Sequence, residues 1–238
     1  MLPPFVVVPT YRECDNLPPF TQRLWASVPD ARLLVVDDAS GDGTPDWVKA
    51  QPQYGKQLFI LERAGKLGLG SAYLAGFAWV IERHRTEPCG AVVQMDADLS
   101  HKPESVPELV AAIDRGADLV LATRYREGVR VTNWPLRRLL LSLGGGLYVR
   151  TLTRMPFSDL TGGFKCWKRE TLEEINLDQI FSNGYLFQIE MTWKAYRKGA
   201  HIGEIPIIFY EREIGRSKIN SKIILEAIWG VLTLPFRS

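Results

Sequence analysis

The chain has 238 residues, 46% hydrophobic and 24% charged, with a formal net charge of +2. This composition excludes a disordered or fibrous protein and suffices for one large core. The slight basic excess gathers only at Arg137-Arg138 and from Arg212 to Lys222, which argues against nucleic acid as a partner. Cys14, Cys89 and Cys166 are too widely spaced for a disulfide framework or a metal-ligand motif, and fit a reducing, cytosolic setting. No apolar run is long enough to span a bilayer, and the amino terminus lacks a basic, apolar leader, so no cleaved signal peptide is expected.

In chain order, β-branched runs alternate with helical periodicity. Phe5 to Val8 reads as a strand, followed by a helix after the Asp15-Asn16 cap signal, a strand Arg32 to Asp37, a helix near Pro45 to Gln51, and a strand Leu58 to Leu61. A helix Gly68 to His84, a strand Ala91 to Asp96, a helix after Pro103-Glu104 and a strand Leu119 to Thr123 follow. The repetition predicts an α/β fold, a mostly parallel sheet with helices on both faces, whose ligands bind beyond the carboxyl ends of the strands. Beyond Thr123 the pattern loosens into an amphipathic helix from Trp134 to Arg150, a Gly-rich turn at Thr161-Gly162-Gly163, a helix through Tyr185 to Tyr196 and a strand from His201 to Tyr210. No repeat or linker interrupts the chain, so a single catalytic domain over residues 1–238 is expected, with an amphipathic tail from about 219 to 238.

Asp96-Ala97-Asp98 closes the run Ala91 to Met95. Residues two apart in extended chain project to one side, so the two carboxylates can converge on a hard divalent cation holding a diphosphate. The same triplet also suits an ordinary turn or cap. Asp37-Asp38 ends another strand before Ser40-Gly41-Asp42-Gly43-Thr44; Asp37 suits bonds to base or ribose hydroxyls, whereas Asp42 to Thr44 reads as a turn and helix cap. Lys66-Leu67-Gly68-Leu69-Gly70 opens a helix with small residues whose amides could face a phosphate. His101 lies just past the carboxylates, with no second histidine at ligand spacing, and His84 and His201 read as surface or framework groups. Trp134 to Arg150 and the tail Ile219 to Phe236 each combine an apolar face with basic flanks, which suits either packing on the chain's own core or a membrane surface.

Val8-Pro9-Thr10-Tyr11-Arg12-Glu13, Val35-Val36-Asp37-Asp38, Asp96-Ala97-Asp98-Leu99-Ser100-His101, Thr123-Arg124-Tyr125, Asp159 to Lys165 and Gly215-Arg216-Ser217-Lys218 occur in that order. Together they resemble the family-2 glycosyltransferases of the GT-A fold, and among them the polyprenol-phosphate (dolichol-phosphate) mannose synthases in their short form without membrane helices. The resemblance runs from about Phe5 to Leu234. It implies transfer of mannose from GDP-mannose to a polyprenyl or dolichyl phosphate with inversion, on the cytoplasmic face of a membrane, with a small membrane-embedded partner subunit. By the same resemblance, Pro9, Tyr11, Glu13, Val35 and Asp37 would contact the guanosine side of the donor. Asp96, Ala97 and Asp98 would meet the sugar and the Mg²⁺ or Mn²⁺ on its diphosphate. Arg124, Arg212 and Lys218 would bring positive charge to the phosphates. Two departures stand out: Ser100 replaces the Gln that some relatives use as a third metal ligand, and Arg12-Glu13 replaces the usual Asn-Glu.

A phosphate acceptor is anionic at neutral pH, so no strong base is needed; Asp159 and Glu190 are equally open to orienting the acceptor or to capping and charge pairing. A UDP-glucose donor and an inactive scaffold role remain alternatives. A nucleotide-sugar pyrophosphorylase is disfavoured, since the first motif lacks a Gly-rich, basic loop for a triphosphate.

Overall fold

The computed structural model describes residues 2–211 and 228–234. Strands β1 (Phe5–Thr10), β2 (Arg32–Asp37), β3 (Leu58–Glu62), β4 (Ala91–Gln94), β5 (Leu119–Thr123), β6 (Lys165–Lys168) and β7 (Ile202–Pro206) form a seven-stranded sheet in the order β3-β2-β1-β4-β6-β5-β7. Every pairing is parallel except the two made by β6, which runs against both β4 and β5.

The central strands read as continuous apolar runs because both faces are covered. Val6, Val8, Leu33 and Val35 face α1 (Leu17–Ser27), α2 (Thr44–Lys49) and α4 (Val106–Asp114), packing with Phe20, Leu24, Val48, Val106 and Leu109. Phe5, Val7, Leu34 and Val36 face the other way, with Tyr73, Phe77 and Val80 of α3 (Leu69–Arg83) and Phe187, Ile189 and Met191 of α7 (Gly184–Arg197). α1 carries proline in its first turn, where a missing N–H costs no helical bond. The expected mostly parallel sheet with helices on both faces is therefore present.

The sequence reading differs from the structure in four places. β4 ends at Gln94, so Met95 to Asp98 belong to the turn beyond the strand rather than to the strand itself. β6 and the short α6 (Arg169–Glu174) were not anticipated, because a four-residue strand carrying two lysines shows no hydrophobic alternation of useful length. The helix expected from Trp134 is α5 (Leu136–Thr153), which starts only after Pro135. The expected strand to Tyr210 is β7, which stops at Pro206, with an isolated bridge between Val131 and Phe209 beyond it. The tail expected from 219 lies largely outside the described residues; 228–233 is helical, with Val231 buried.

α3 approaches the sheet closely at Gly76, where a Cβ would come 2.5 Å from Val7 Cγ1 and 3.0 Å from Val36 Cγ2. Alanine gains about 1 kcal/mol of helix propensity over glycine, but overpacking at such a contact costs about 1–3 kcal/mol. Gly76→Ala is expected to be net destabilising, read as a lower urea midpoint at unchanged slope.

Candidate active site

Three loops at the carboxyl edge of the sheet carry non-glycine residues with left-handed backbone: Arg12 (φ 60°) after β1, Ala39 (φ 53°) after β2 and Leu99 (φ 59°) after β4. Each costs on the order of 1 kcal/mol and persists only where surrounding bonds over-determine the loop. Those bonds are visible. Asp37, buried at the end of β2, accepts from Thr10 Oγ1 (2.8 Å) and Ser40 N (3.0 Å), while Ser40 Oγ in turn accepts from Arg12 N (2.9 Å). Asp42 accepts from Cys14 N (3.0 Å) and from Thr44 N and Oγ1 (3.1 and 2.7 Å), bracing the first loop against the start of α2. Burial opposes ionisation of Asp42, but these bonds outweigh it and hold its carboxyl below the usual range. Asp38 accepts from Arg63 Nη1 (2.5 Å) and from the amides of Leu67 and Gly68 (3.1 Å each), pinning the turn that leads into α3. Lys66, in that turn, lies 4.1 Å from the Tyr11 ring centroid.

The carboxylate pair follows β4. Asp96 Oδ1 accepts from Tyr73 Oη at 3.3 Å, and His101 Nδ1 stands 3.9 Å from Asp96 Oδ2. Burial, reinforced by Asp96, pushes the Tyr73 phenol well above its ordinary value, so it remains a donor. Burial likewise pushes His101 down to about 4, leaving a neutral ring between Phe164 and Phe209. Asp98 accepts from Ser100 N (3.1 Å) and Ser100 Oγ (2.5 Å). The Asp96 side chain is 36% exposed, whereas Asp98 is only 4% exposed. Among the described residues no three His, Cys, Asp or Glu side chains gather as a metal site. Two hard carboxylates suit Mg²⁺ or Mn²⁺ if ligand oxygens and water complete the shell, and Ser100 keeps oxygen lone pairs while donating to Asp98.

Beyond β5, Arg124 donates to both oxygens of Asp159, Nε at 2.6 Å and Nη2 at 2.8 Å, and to Thr161 Oγ1 at 2.9 Å. Burial opposes both charges, and each group's partner more than offsets it, raising Arg124 and lowering Asp159. The pair carries no net charge, so an anion beside it meets oriented N–H groups rather than an unopposed cation. A cleft of about 400 Å³ opens beside Asp159, with Tyr125, Arg126, Ser142 and Arg150 in its walls. Arg126 pairs with Glu204 (2.6 Å), and Arg150 donates to Ser158 O (3.0 Å). Gly162 and Gly163 join this cleft to the carboxylates: a Cβ on Gly162 would lie 3.5 Å from Asp159 Oδ2, and one on Gly163 3.7 Å from Asp96 Oδ2.

The structure thus gathers Pro9, Tyr11, Glu13, Asp37, Asp96, Ala97, Asp98 and Ser100 on loops or strand ends at one edge of the sheet, with Arg124 at the same edge. Val35 lies inside β2 with its side chain sealed in the core, so any contact it makes to a ligand runs through backbone. Asp37 is built into the loop framework, as are Asp42 and Thr44. Glu190 accepts from Ser182 N at 3.1 Å and also bonds its hydroxyl, so it caps that loop. Arg212 and Lys218 lie outside the described residues. The sequence singles out Lys66 only as part of the helix-opening segment to Gly70 and gives no sign of Tyr73, because a tyrosine inside an apolar helix carries no signal of what it touches.

A twisted α/β sheet with paired carboxylates at its carboxyl edge defines a GT-A-like transferase fold. The chain belongs to glycosyl transferase family 2, whose profile matches residues 5–176. It is 43% identical over 230 residues to an undecaprenyl-phosphate mannosyltransferase of Micrococcus luteus, covering 94% of this chain and 93% of the relative. It is 42% identical over 235 residues to a polyprenol monophosphomannose synthase of Mycolicibacterium smegmatis, covering 95% and 86% respectively. In fold it is similar to glucosyl-3-phosphoglycerate synthase from Mycobacterium tuberculosis in complex with Mn²⁺, UDP-glucose and phosphoglyceric acid, with a TM-score of 0.70 at 18% identity over 100% of this chain and 81% of that one.

Replacing Asp159 by Asn strands a buried guanidinium, which costs about 3–5 kcal/mol. Urea unfolding at pH 7 is expected to show most of that loss. Because folding lowers the Asp159 pKa, the pair's contribution is complete at neutral pH and fades only as pH falls below 3.8.

Proposed function

We propose that the chain transfers mannose from GDP-mannose to the phosphate of a polyprenyl chain, with inversion, while seated on the cytoplasmic face of a membrane. The observation that carries this reading is the adjacency across Gly162 and Gly163: the carboxylate pair lies on one side, and on the other a cleft lined by Arg126 and Arg150 that runs to the outer side of α5. There Leu136, Leu140, Leu143 and Leu147 form one exposed helical stripe, and three of them are 59–69% exposed. Ile228 and Trp229 are exposed too, and Tyr148 Oη donates to Ile228 O at 2.9 Å, so the helix at 228–233 lies against α5. No helix among the described residues is long and apolar enough to cross a membrane. An apolar stripe with Arg137, Arg138 and Arg150 at its flanks suits an interfacial seat, where a prenyl tail stays in lipid and its phosphate enters the cleft. The names of both relatives, each matched over most of its length, support the acceptor class.

In the reaction an acceptor phosphate oxygen forms a bond to the anomeric carbon as the bond to the diphosphate breaks and GDP leaves. The acceptor needs no deprotonation, which agrees with Asp159 and Glu190 both being committed to internal bonds. Asp96 and Asp98 would hold Mg²⁺ or Mn²⁺, whose charge neutralises the departing diphosphate. Tyr73 stays protonated and fixes Asp96, while Ser100 fixes Asp98. The small membrane-embedded subunit implied by the resemblance would share the apolar face of α5.

Purified protein incubated with labelled GDP-mannose, polyprenyl phosphate and Mg²⁺ is expected to move label into the organic phase, with a loss of about 100-fold or more in Asp98→Ala. Label from UDP-glucose but not from GDP-mannose would replace the donor, and no label from either would sink the reading. Each leucine buried in lipid contributes about 2 kcal/mol, so the Leu140→Glu/Leu147→Glu double variant should float with anionic liposomes more than about tenfold less.

A further inference from the structure

The cleft beside Asp159 encloses about 400 Å³, within the range of roughly 300–1,000 Å³ that takes in small organic ligands, and far more than a phosphate needs. Its walls are of two kinds. Arg126, Ser142 and Arg150 supply polar groups, whereas Leu143, Pro156 and Phe157 supply carbon. Of the two arginines, Arg126 is already paired with Glu204 at 2.6 Å. Arg150 has no carboxylate partner among the described residues, and its Nη1 donates to a backbone carbonyl, Ser158 O, at 3.0 Å. An anion entering the cleft therefore meets an uncompensated cation at Arg150.

Ser142, Gly146 and Arg150 follow one another at every fourth position of α5 and so form one row along the helix, and all three line the cleft. The helix is tied across the cleft on either side of Gly146. Ser142 Oγ pairs with Tyr125 Oη at 2.7 Å, and Arg150 reaches Ser158 O. Glycine is a poor helix former, so a glycine inside this helix calls for a reason. Backbone conformation gives none, because Gly146 is not among the residues with positive φ. Nor does packing, since a Cβ there meets only the flexible end of Arg150, at an ordinary 3.6 Å. What the missing side chain preserves is the open space of the cleft beside the Arg150 guanidinium.

We propose that Gly146 is a specificity-determining residue for the acceptor: the acceptor phosphate meets Arg150, and the first isoprene unit of its chain lies over Gly146, against Leu143, Pro156 and Phe157. The inference rests on the prenyl-phosphate reading given above. The cleft then reads both parts of the acceptor's head, the anion through charge and the branched carbon unit through width. The rest of the chain leaves past the exposed leucines of α5 into lipid. A side chain at position 146 fills the space that the isoprene unit takes, without removing a hydrogen bond of the walls.

The test is inhibition of transfer to a long polyprenyl phosphate, in detergent, by citronellyl phosphate and by inorganic phosphate, read in the wild type, Gly146→Leu, Arg150→Gln and Gly144→Leu. Leucine is a better helix former than glycine, so both leucine variants are expected to melt no lower than the wild type. Gly144 belongs to the same helix but does not line the cleft, so Gly144→Leu is the control for a change in the helix alone. In the wild type citronellyl phosphate is expected to inhibit at least about tenfold better than phosphate, because each buried carbon of the isoprene unit adds affinity. Gly146→Leu should lose that advantage, Arg150→Gln should weaken citronellyl phosphate, and Gly144→Leu should match the wild type. Equal inhibition by the two compounds in the wild type, or an advantage of citronellyl phosphate that survives in Gly146→Leu, overturns the inference alone, as does unchanged inhibition in Arg150→Gln. A loss shared by Gly146→Leu and Gly144→Leu assigns the effect to the helix and also overturns it. Absence of transfer to polyprenyl phosphate by the wild type, from either GDP-mannose or UDP-glucose, overturns the acceptor reading and the inference with it.

Discussion

Because β6 runs antiparallel between β4 and β5, its first residues arrive at the edge of the sheet where the parallel strands end. Lys165 pairs with Gln94 on one side and Leu121 on the other, so Gly162 and Gly163 stand next to the turn that carries Asp96. A parallel strand in that position would deliver Asp159 to Gly163 at the opposite edge. The reversal lets a single loop touch both the carboxylate pair and the cleft beside Arg124, which brings the two within a residue of each other.

Buried charge at this edge is handled by local pairing. Arg124 with Asp159 and Arg63 with Asp38 form compact ion pairs, and Glu190 is satisfied by Ser182. Removing charges from water is costly unless each finds a partner, and these pairings hold the loops after β2 and β5 and the one before α7. The Asp96 side chain, oriented by Tyr73, is 36% exposed, against 7% for Asp38 and 1% for Asp159. The left-handed residues Arg12, Ala39 and Leu99 lie in the loops after β1, β2 and β4, where side-chain bonds hold backbone that would otherwise relax.

Several readings were legible from residue type alone. Asp42 to Thr44 was recognised as a turn and cap because Asp accepts readily from amides two residues on, and both bonds are present. Asp159 and Glu190 were left open between acceptor chemistry and internal pairing, and the structure gives each an internal partner. Asp37 was read as a ligand contact; here its oxygens are taken by Thr10 and Ser40, a pairing across two strands that no local pattern announces. β6 escaped because Lys165 is buried: solvation alone would keep lysine outside, and only the acceptors at Gln188 and Thr192 make its place tolerable. Burial also lowers that amine to about 7, a shift no sequence pattern reveals.

The sequence by itself determined the α/β class, the strands β1 to β5, the placing of Asp96 and Asp98 at a strand's end and, through the ordered motifs, the family. These follow from periodicity, turn chemistry and spacing, all of which act over a few residues. Only the tertiary structure decided the direction of β6, the partner of Arg124 and the apolar stripe of α5 beside a polar cleft. Each of those joins residues tens of positions apart, and which donor meets which acceptor depends on how two elements pack, which local sequence does not encode.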